Sequence, residues 1–258
     1  MIIGIYSASP EYHGFGHYYR CLGLAQVLAA QRHTVFWKDS LMPDFNLGQD
    51  LGFELDWLIV DHPDETVINQ LDARAKRRAY LHGNSELTRP MNEDAWDLIV
   101  VQGVRYGVRN INASRWLVGP QYALIRPEIS NLVGIFRPPK ENKVLVYPDD
   151  LLDLVPDGWV VAYPNDFHVD FGIARFGMIS LELAALGIPQ AIIYDTMVEP
   201  TAVYLKKTGA ATLIKREVAE RDRDVIKREV ERIEVPFKPP IDGLGCWRLA
   251  HELELRAT

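Results

Sequence analysis

Short apolar runs alternate with longer segments of helical period, the signature of strand-helix-strand units building a parallel sheet covered on both faces. Ile2 to Tyr6 reads as a first buried strand, and Cys21, Leu24, Ala25 and Leu28 recur at i, i+3, i+4 and i+7 as one face of a helix. Thr34 to Trp37, Trp57 to Asp61, Ala79 to Leu81 and Asp97 to Val101 continue the strands. The stretch Arg137-Pro138-Pro139-Lys140-Glu141-Asn142-Lys143 has two prolines and no apolar period, and reads as a linker. A second set follows, with strands at Val144 to Tyr147, Trp159 to Tyr163, Gly172 to Ala174 and Ala191 to Tyr194, and helices at Ser180 to Leu186 and Pro200 to Lys207. Lys215 to Arg232 is dense in mixed charge with Ile226, Val230 and Ile233 on one stripe, which predicts a solvated amphipathic helix. The fold class is α/β: two Rossmann-like lobes with the sheets' carboxyl edges facing a cleft, where such folds bind ligands.

Charge and cysteine usage narrow the function classes. Lysine and arginine number 28 against 35 aspartates and glutamates, a net charge of −7, so a nucleic-acid backbone is a poor partner. Apolar residues make up 48%, enough for a sizeable core, yet no run reaches the ~18 to 20 residues of a membrane span. The opening Met1-Ile2-Ile3-Gly4-Ile5-Tyr6 lacks a basic n-region, so the protein reads as cytoplasmic, with no stable membrane association. Cys21 and Cys246 have no second Cys or His at metal-ligand spacing, and neither a disulfide framework nor a metal site is expected. Arg74, Lys76, Arg77 and Arg78 cluster in a helix-like stretch and read as a solvated face or a phosphate contact. Trp57, Trp96, Trp116, Trp159 and Trp247 read as core or interlobe packing.

Gly14-Phe15-Gly16-His17 lies between the first strand and the first helix, where glycines let the backbone approach a ligand and helix N–H groups attract anions. The positive end of the helix dipole suits a neutral imidazole acting as a base, and His17 is the candidate to activate a water. A tight turn with His17 as its cap is the alternative. The third glycine of a dinucleotide fingerprint and the Gly-Lys-Ser/Thr of a P-loop are missing, so neither of those sites is present here. Asp61 and His62, at a strand end, either touch a substrate or cap the following turn.

The run Gly14-Phe15-Gly16-His17-Tyr18-Tyr19-Arg20-Cys21-Leu22-Gly23-Leu24-Ala25 resembles the N-terminal loop of the UDP-sugar hydrolase family of pseudaminic acid biosynthesis. Val60-Asp61-His62 is similar to the family's Val-Asp-His strand end, and Gly119-Pro120-Gln121-Tyr122-Ala123-Leu124-Ile125-Arg126-Pro127-Glu128 resembles its Gly-Pro-x-Tyr-Ala-Leu-Leu-Arg-Pro-Glu segment. Leu181 to Pro189 and Ile241-Asp242-Gly243-Leu244-Gly245 match its nucleotide-facing helix and C-terminal Asp-Gly-x-Gly segment. The resemblance implies a glycosyltransferase-B architecture in three parts: an N-terminal lobe over residues 1–137, a nucleotide-binding lobe over 143–235, and a segment 236–258 returning to the first lobe. It implies catalysis by His17 without metal or cofactor, substrate contacts from Gly14, Phe15, Gly16, Arg20, Asp61, His62, Tyr122 and Arg126, and nucleotide contacts from Gly177, Met178, Ile179, Glu182 and Glu199. Glu182 would accept hydrogen bonds from the ribose hydroxyls; a solvated helix face is its alternative. The partner implied is a nucleotide-sugar, and the protein a monomer or homodimer.

The second lobe departs from the family pattern where a pyrophosphate should bind. Val144-Leu145-Val146-Tyr147-Pro148-Asp149-Asp150 stands where the family has a Gly-Gly-x-Asp loop, and two carboxylates there repel a diphosphate. Phe176-Gly177-Met178-Ile179 replaces Gly-Gly-Ser-Thr, leaving the helix N–H groups as the anion contact, and Glu199-Pro200 replaces Asn-Gln. Asp149 to Trp159 is too short for a full helix with its loops, so the lobe is trimmed. Three functions fit these residues: a metal-independent nucleotide-sugar hydrolase, a glycosyltransferase on the same scaffold, and a non-catalytic nucleotide-sugar binding protein.

Overall fold

A computed structural model describes residues 1–13, 15–39, 53–64, 68, 71, 74–82, 93–104, 114–136, 141–162, 166–233 and 237–257. Gly14, residues 137–140 of the linker reading and Tyr163 of a predicted strand lie outside them. The chain forms two compact units, Met1–Pro127 with Leu244–Thr258, and Glu128–Gly243.

The first unit is built on a parallel sheet of order β2-β1-β3-β4-β5-β6. Its strands are β1 (Ile2–Ser7), β2 (Thr34–Asp39), β3 (Leu55–Asp61), β4 (Ala75–His82), β5 (Leu98–Val101) and β6 (Trp116–Val118). The short helix α1 (Pro10–His13) and the longer α2 (Phe15–Ala30) follow β1. Strands buried on both faces read as continuous apolar runs, and the alternating side chains divide between two cores. Ile3, Ile5, Trp57, Ile59, Leu81 and Val100 meet Cys21, Leu24 and Leu28 of α2 on one face. Leu58, Val60, Tyr80, Ile99 and Trp116 fill the other. The order 2-1-3 reverses direction between β1 and β3, so the topological switch point, where doubly wound sheets bind ligands, lies at the carboxyl ends of those two strands.

The chain's last helix belongs to this first unit. Along the chain the first unit gives way to the second within the short α3 (Pro127–Ser130), and the second unit supplies α4 (Met178–Leu186), α5 (Pro200–Lys207), α6 (Arg216–Arg221) and α7 (Asp224–Glu231) before α8 (Gly245–Ala257). On α8, Cys246, Leu249, Ala250 and Leu253 enter the same core as α2, and Trp57 Nε1 donates to the Leu253 carbonyl at 3.1 Å.

The second unit repeats the topology. Its parallel sheet has the order β11-β10-β9-β7-β8, with strands β7 (Lys143–Tyr147), β8 (Val160–Ala162), β9 (Phe171–Ala174), β10 (Gln190–Tyr194) and β11 (Ala211–Lys215). Helix α4 ends on Gly187 at φ 73°, the left-handed residue that glycine adopts without a Cβ penalty. The crossover from β7 to β8 holds only a six-residue 3-10 helix, Asp149–Leu154, in place of a full helix. This unit is the smaller lobe.

Three sequence expectations are corrected. The basic cluster is not helical: Lys76, Arg77 and Arg78 lie in β4, where the Trp57↔Arg77 register pairs them with β3. Lys76 bonds Asp56 at 2.8 Å and Arg77 lies over the Trp57 ring, so long stems cover the sheet while charged heads reach water. The single amphipathic helix is instead the end of β11 followed by α6 and α7, broken at Asp222 with an extended φ of −144° and ψ of 92°. Ile226 and Val230 are buried as their spacing predicts. Trp247 is 42% exposed, whereas Trp57, Trp96 and Trp116 are buried and Trp159 is partly so. Strands β6, only three residues long, and β11, of mixed composition, go unrecognised in the sequence.

Candidate active site

Helical geometry brings three side chains of α2 onto one carboxylate. His17, Arg20 and Cys21 stand at i, i+3 and i+4, one face of the helix, and that face is turned toward the end of β3. Asp61, the last residue of β3, is fully buried there. Its Oδ1 lies 2.7 Å from His17 Nδ1, and Arg20 donates through Nε to Oδ2 and through a terminal nitrogen to Oδ1. Cys21 Sγ donates to Oδ2 at 3.5 Å. The backbone fixes the same junction, since Ala8 N–H donates to the Asp61 carbonyl at 2.8 Å.

The electrostatics follow from burial. A carboxylate removed from water is costly without partners. Burial pushes the Asp61 carboxyl up, but the Arg20 guanidinium and His17 outweigh it and hold Asp61 well below the usual carboxylate range. A charged Asp61 is an acceptor only, so His17 Nδ1 carries the proton it donates. A bare Nδ1 would set two lone pairs against each other at 2.7 Å. The 2.8 Å approach of an Arg20 nitrogen to Nδ1 follows from both groups converging on Oδ1. That tautomer leaves His17 Nε2 as the lone-pair atom, on a side chain 16% exposed. Burial, followed by the Asp61 charge, pushes the Cys21 thiol well up, so it is a packed neutral group and not a nucleophile.

A second imidazole lies beside the first. His62 is buried; its Nδ1 accepts from Asp64 N–H at 3.0 Å and its carbonyl accepts from Tyr80 O–H at 2.9 Å. Burial and the neighbouring His13 push the His62 imidazole below its ordinary value. The ring of the exposed His13, at the end of α1, stands 5.0 Å from the His62 ring and 6.3 Å from the His17 ring.

On the other side of α2, Phe15 is 49% exposed and stacks on Tyr19 at 5.7 Å, and the buried Arg126 lies 4.5 Å over the Tyr19 ring. Gly16 and Tyr122 are half-buried, Gly16 in the first turn of α2 and Tyr122 against the α2 and α8 core. Of the sequence-predicted residues in this unit, His17, Arg20 and Asp61 are in direct contact, His62 follows Asp61, and Phe15 and Arg126 meet through Tyr19.

In the second unit, Gly177 caps the N-terminus of α4, and a Cβ there would meet open space. Met178 and Ile179 form the first turn, half-buried. Glu182 is 1% exposed, which excludes the solvated-face reading. Glu199 precedes Pro200, the first residue of α5, and burial pushes its carboxyl up. The switch point of this sheet, at the ends of β7 and β9, is filled by charge: Arg175 donates to Asp150 at 2.7 Å, and Arg216 to the same oxygen at 2.8 Å. Ser180 donates to the Arg175 carbonyl at 3.2 Å and is fully buried. Among the described residues no group of three or more His, Cys, Asp and Glu could hold a metal ion, and no helix is long and apolar enough to cross a membrane.

No protein-family model matches the chain, and no curated protein matches it. Solved structures do. The S. aureus MnaA–UDP co-structure aligns over 100% of this chain and 97% of its own at 10% identity, with a TM-score of 0.58. A crystal structure of UDP-N-acetylglucosamine 2-epimerase aligns over 99% and 95% at 14% identity, with a TM-score of 0.52. At these identities the likeness is one of fold: two parallel-sheet α/β lobes of glycosyltransferase-B type, the second of them small.

Proposed function

We propose that this protein hydrolyses a UDP-activated amino-deoxy sugar at its anomeric carbon. His17 Nε2 takes a proton from water, the water oxygen bonds to the anomeric carbon, the bond from that carbon to the phosphate oxygen breaks, and UDP leaves with the electron pair. Asp61 holds the imidazole in the required tautomer and stabilises the imidazolium that forms, and Arg20 holds Asp61 charged and in place. The observation that carries the reading is the 2.7 Å contact of His17 Nδ1 with a fully buried, charged Asp61 at the β1/β3 switch point. The fold shared with a UDP co-structure and a UDP-N-acetylglucosamine 2-epimerase supports a nucleotide-sugar ligand. So does the sequence resemblance to the pseudaminic acid hydrolase family, from which the ribose role of Glu182 and the contacts of Gly177, Met178, Ile179 and Glu199 are taken.

One observation favours a second reading, glycosyl transfer to an acceptor hydroxyl in place of water. Phe15 presents an exposed ring, stacked on Tyr19, at the start of the helix that carries His17. Acceptor dependence separates the two. UDP release from a UDP-linked diacetamido-trideoxyhexose in buffer alone, falling about 10²- to 10⁴-fold in His17→Ala, is the hydrolase result. Release only on addition of an acceptor identifies the transferase, and equal turnover by His17→Ala overturns the role of His17.

A further inference from the structure

We propose that the second unit carries a binding site for an aromatic α-amino acid at the amino edge of its sheet, independent of the nucleotide-sugar reading. A cavity of about 610 Å³ lies there, within the size range of small-molecule sites. Its walls include Asn142, Asp170 and Pro189, the residues that immediately precede β7, β9 and β10. The nucleotide contacts proposed above follow the carboxyl ends of β9 and β10, at the other edge of the same sheet. The short β7–β8 crossover accounts for the space. Leu151 and Leu154 of its six-residue 3-10 helix pack with Val144 and Val146, and Trp159, on the return to β8, faces Val230 of α7 across what a full helix would fill.

The lining is apolar with a few polar groups left to serve a ligand. Trp159 meets Phe171 edge to face at 4.5 Å and 80°, and Pro189, Val230 and Ile233 extend that apolar wall. Lys227, Val230 and Glu231 stand at i, i+3 and i+4 on one face of α7, and all three line the cavity. Lys227 and Glu231 are spaced to pair with each other, yet among the described residues neither makes a hydrogen bond or ion pair, and the Trp159 indole N–H has no partner. Asp170 Oδ2 accepts from the Glu141 and Lys143 N–H groups at 3.1 and 2.9 Å, which leaves Oδ1 to accept from a ligand. Both signs of charge are needed to meet these groups. A lone carboxylate on Lys227 would stand beside Glu231 and Asp170, and a lone amine would stand beside Lys227. A zwitterion sets its carboxylate on Lys227 and the Trp159 N–H and its ammonium on Glu231 and Asp170, while an aromatic ring packs against Trp159. In the sequence Lys227 and Glu231 read as part of a solvated face, because only the fold brings Trp159 and Asp170 to the same cavity.

The test is calorimetric titration of the full chain with L-phenylalanine, phenylacetate and phenethylamine, with Lys227→Met beside the parent. Lys227 is exposed, so the variant keeps the fold. L-phenylalanine is expected to bind the parent with a Kd of about 1 mM or tighter, the range open to so small a ligand. Each analogue with a single charge, and L-phenylalanine with Lys227→Met, should bind about tenfold more weakly, the loss of one hydrogen bond to a charged group. Absence of L-phenylalanine binding by the parent overturns the site. Parent-like affinity in Lys227→Met overturns the cavity as its location, and analogues that bind as well as the amino acid overturn the zwitterion class.

Discussion

At the scale of single residues, Asp61 organises everything around it. Its carboxylate receives Arg20, His17 and Cys21 at once and has no solvent exposure, so removing its charge leaves the Arg20 guanidinium facing an amide. Asp61→Asn is expected to cost about 3 to 5 kcal/mol of stability, as breaking a buried ion pair does, measured by denaturant unfolding against the parent. A loss below about 1 kcal/mol would show that Arg20 and Asp61 do not form a buried pair. How much of this was legible in the sequence divides cleanly. The i, i+3, i+4 spacing of His17, Arg20 and Cys21 is visible in one dimension, and so is a polar residue ending the strand at Asp61. Their meeting is not, because the 2.7 Å contact joins residues 44 apart and needs the sheet order to bring β3 beside β1.

At the scale of elements, close backbone approach decides what the helices can dock against. A Cβ on Gly245, the first residue of α8, would collide with the carbonyl of Ala123, and a backbone atom cannot swing aside. Gly245→Ala is therefore expected to destabilise the protein by more than about 2 kcal/mol, well above the fraction that helix propensity alone would return. Thermal unfolding of the variant checks it, and an unchanged midpoint would mean that α8 does not dock through this glycine. Apolar periodicity revealed β1, β3, β5 and the stripe of α7, because both faces of those strands and one face of that helix are buried. It caught only the second half of β4, Ala79 to Leu81; the first half is basic, with Lys76 and Arg77 anchored by Asp56 and Trp57, a tertiary fact that no local pattern carries. It failed at Asp222, where an extended residue ends α6 and an Asp222–Arg228 ion pair at 2.6 Å bridges the break to α7.

At the scale of the whole molecule, Asp61 and His62 act on stability in separate pH windows. Asp61 is depressed in the folded protein, so its contribution is present above the unfolded aspartate value of about 3.9 and is lost only in stronger acid. His62 is also depressed, from an unfolded value of about 6.5. Below that pH the unfolded chain binds a proton that the folded chain refuses, so stability falls as pH drops through about 6.5 toward the folded value. His62→Asn is expected to flatten the decline of unfolding free energy that sets in below about pH 6.5, while the Asp61 component in stronger acid remains. An unchanged slope in the variant would contradict the buried neutral state of His62.

Attack of a His17-activated water on the anomeric carbon can be followed by turnover of a UDP-linked diacetamido-trideoxyhexose in ¹⁸O-water, with the label located by mass spectrometry. The expected result is ¹⁸O in the released sugar, none in UDP, and loss of the reaction in His17→Ala. Label in the UDP phosphate, or undiminished labelling of the sugar by the alanine variant, would contradict it.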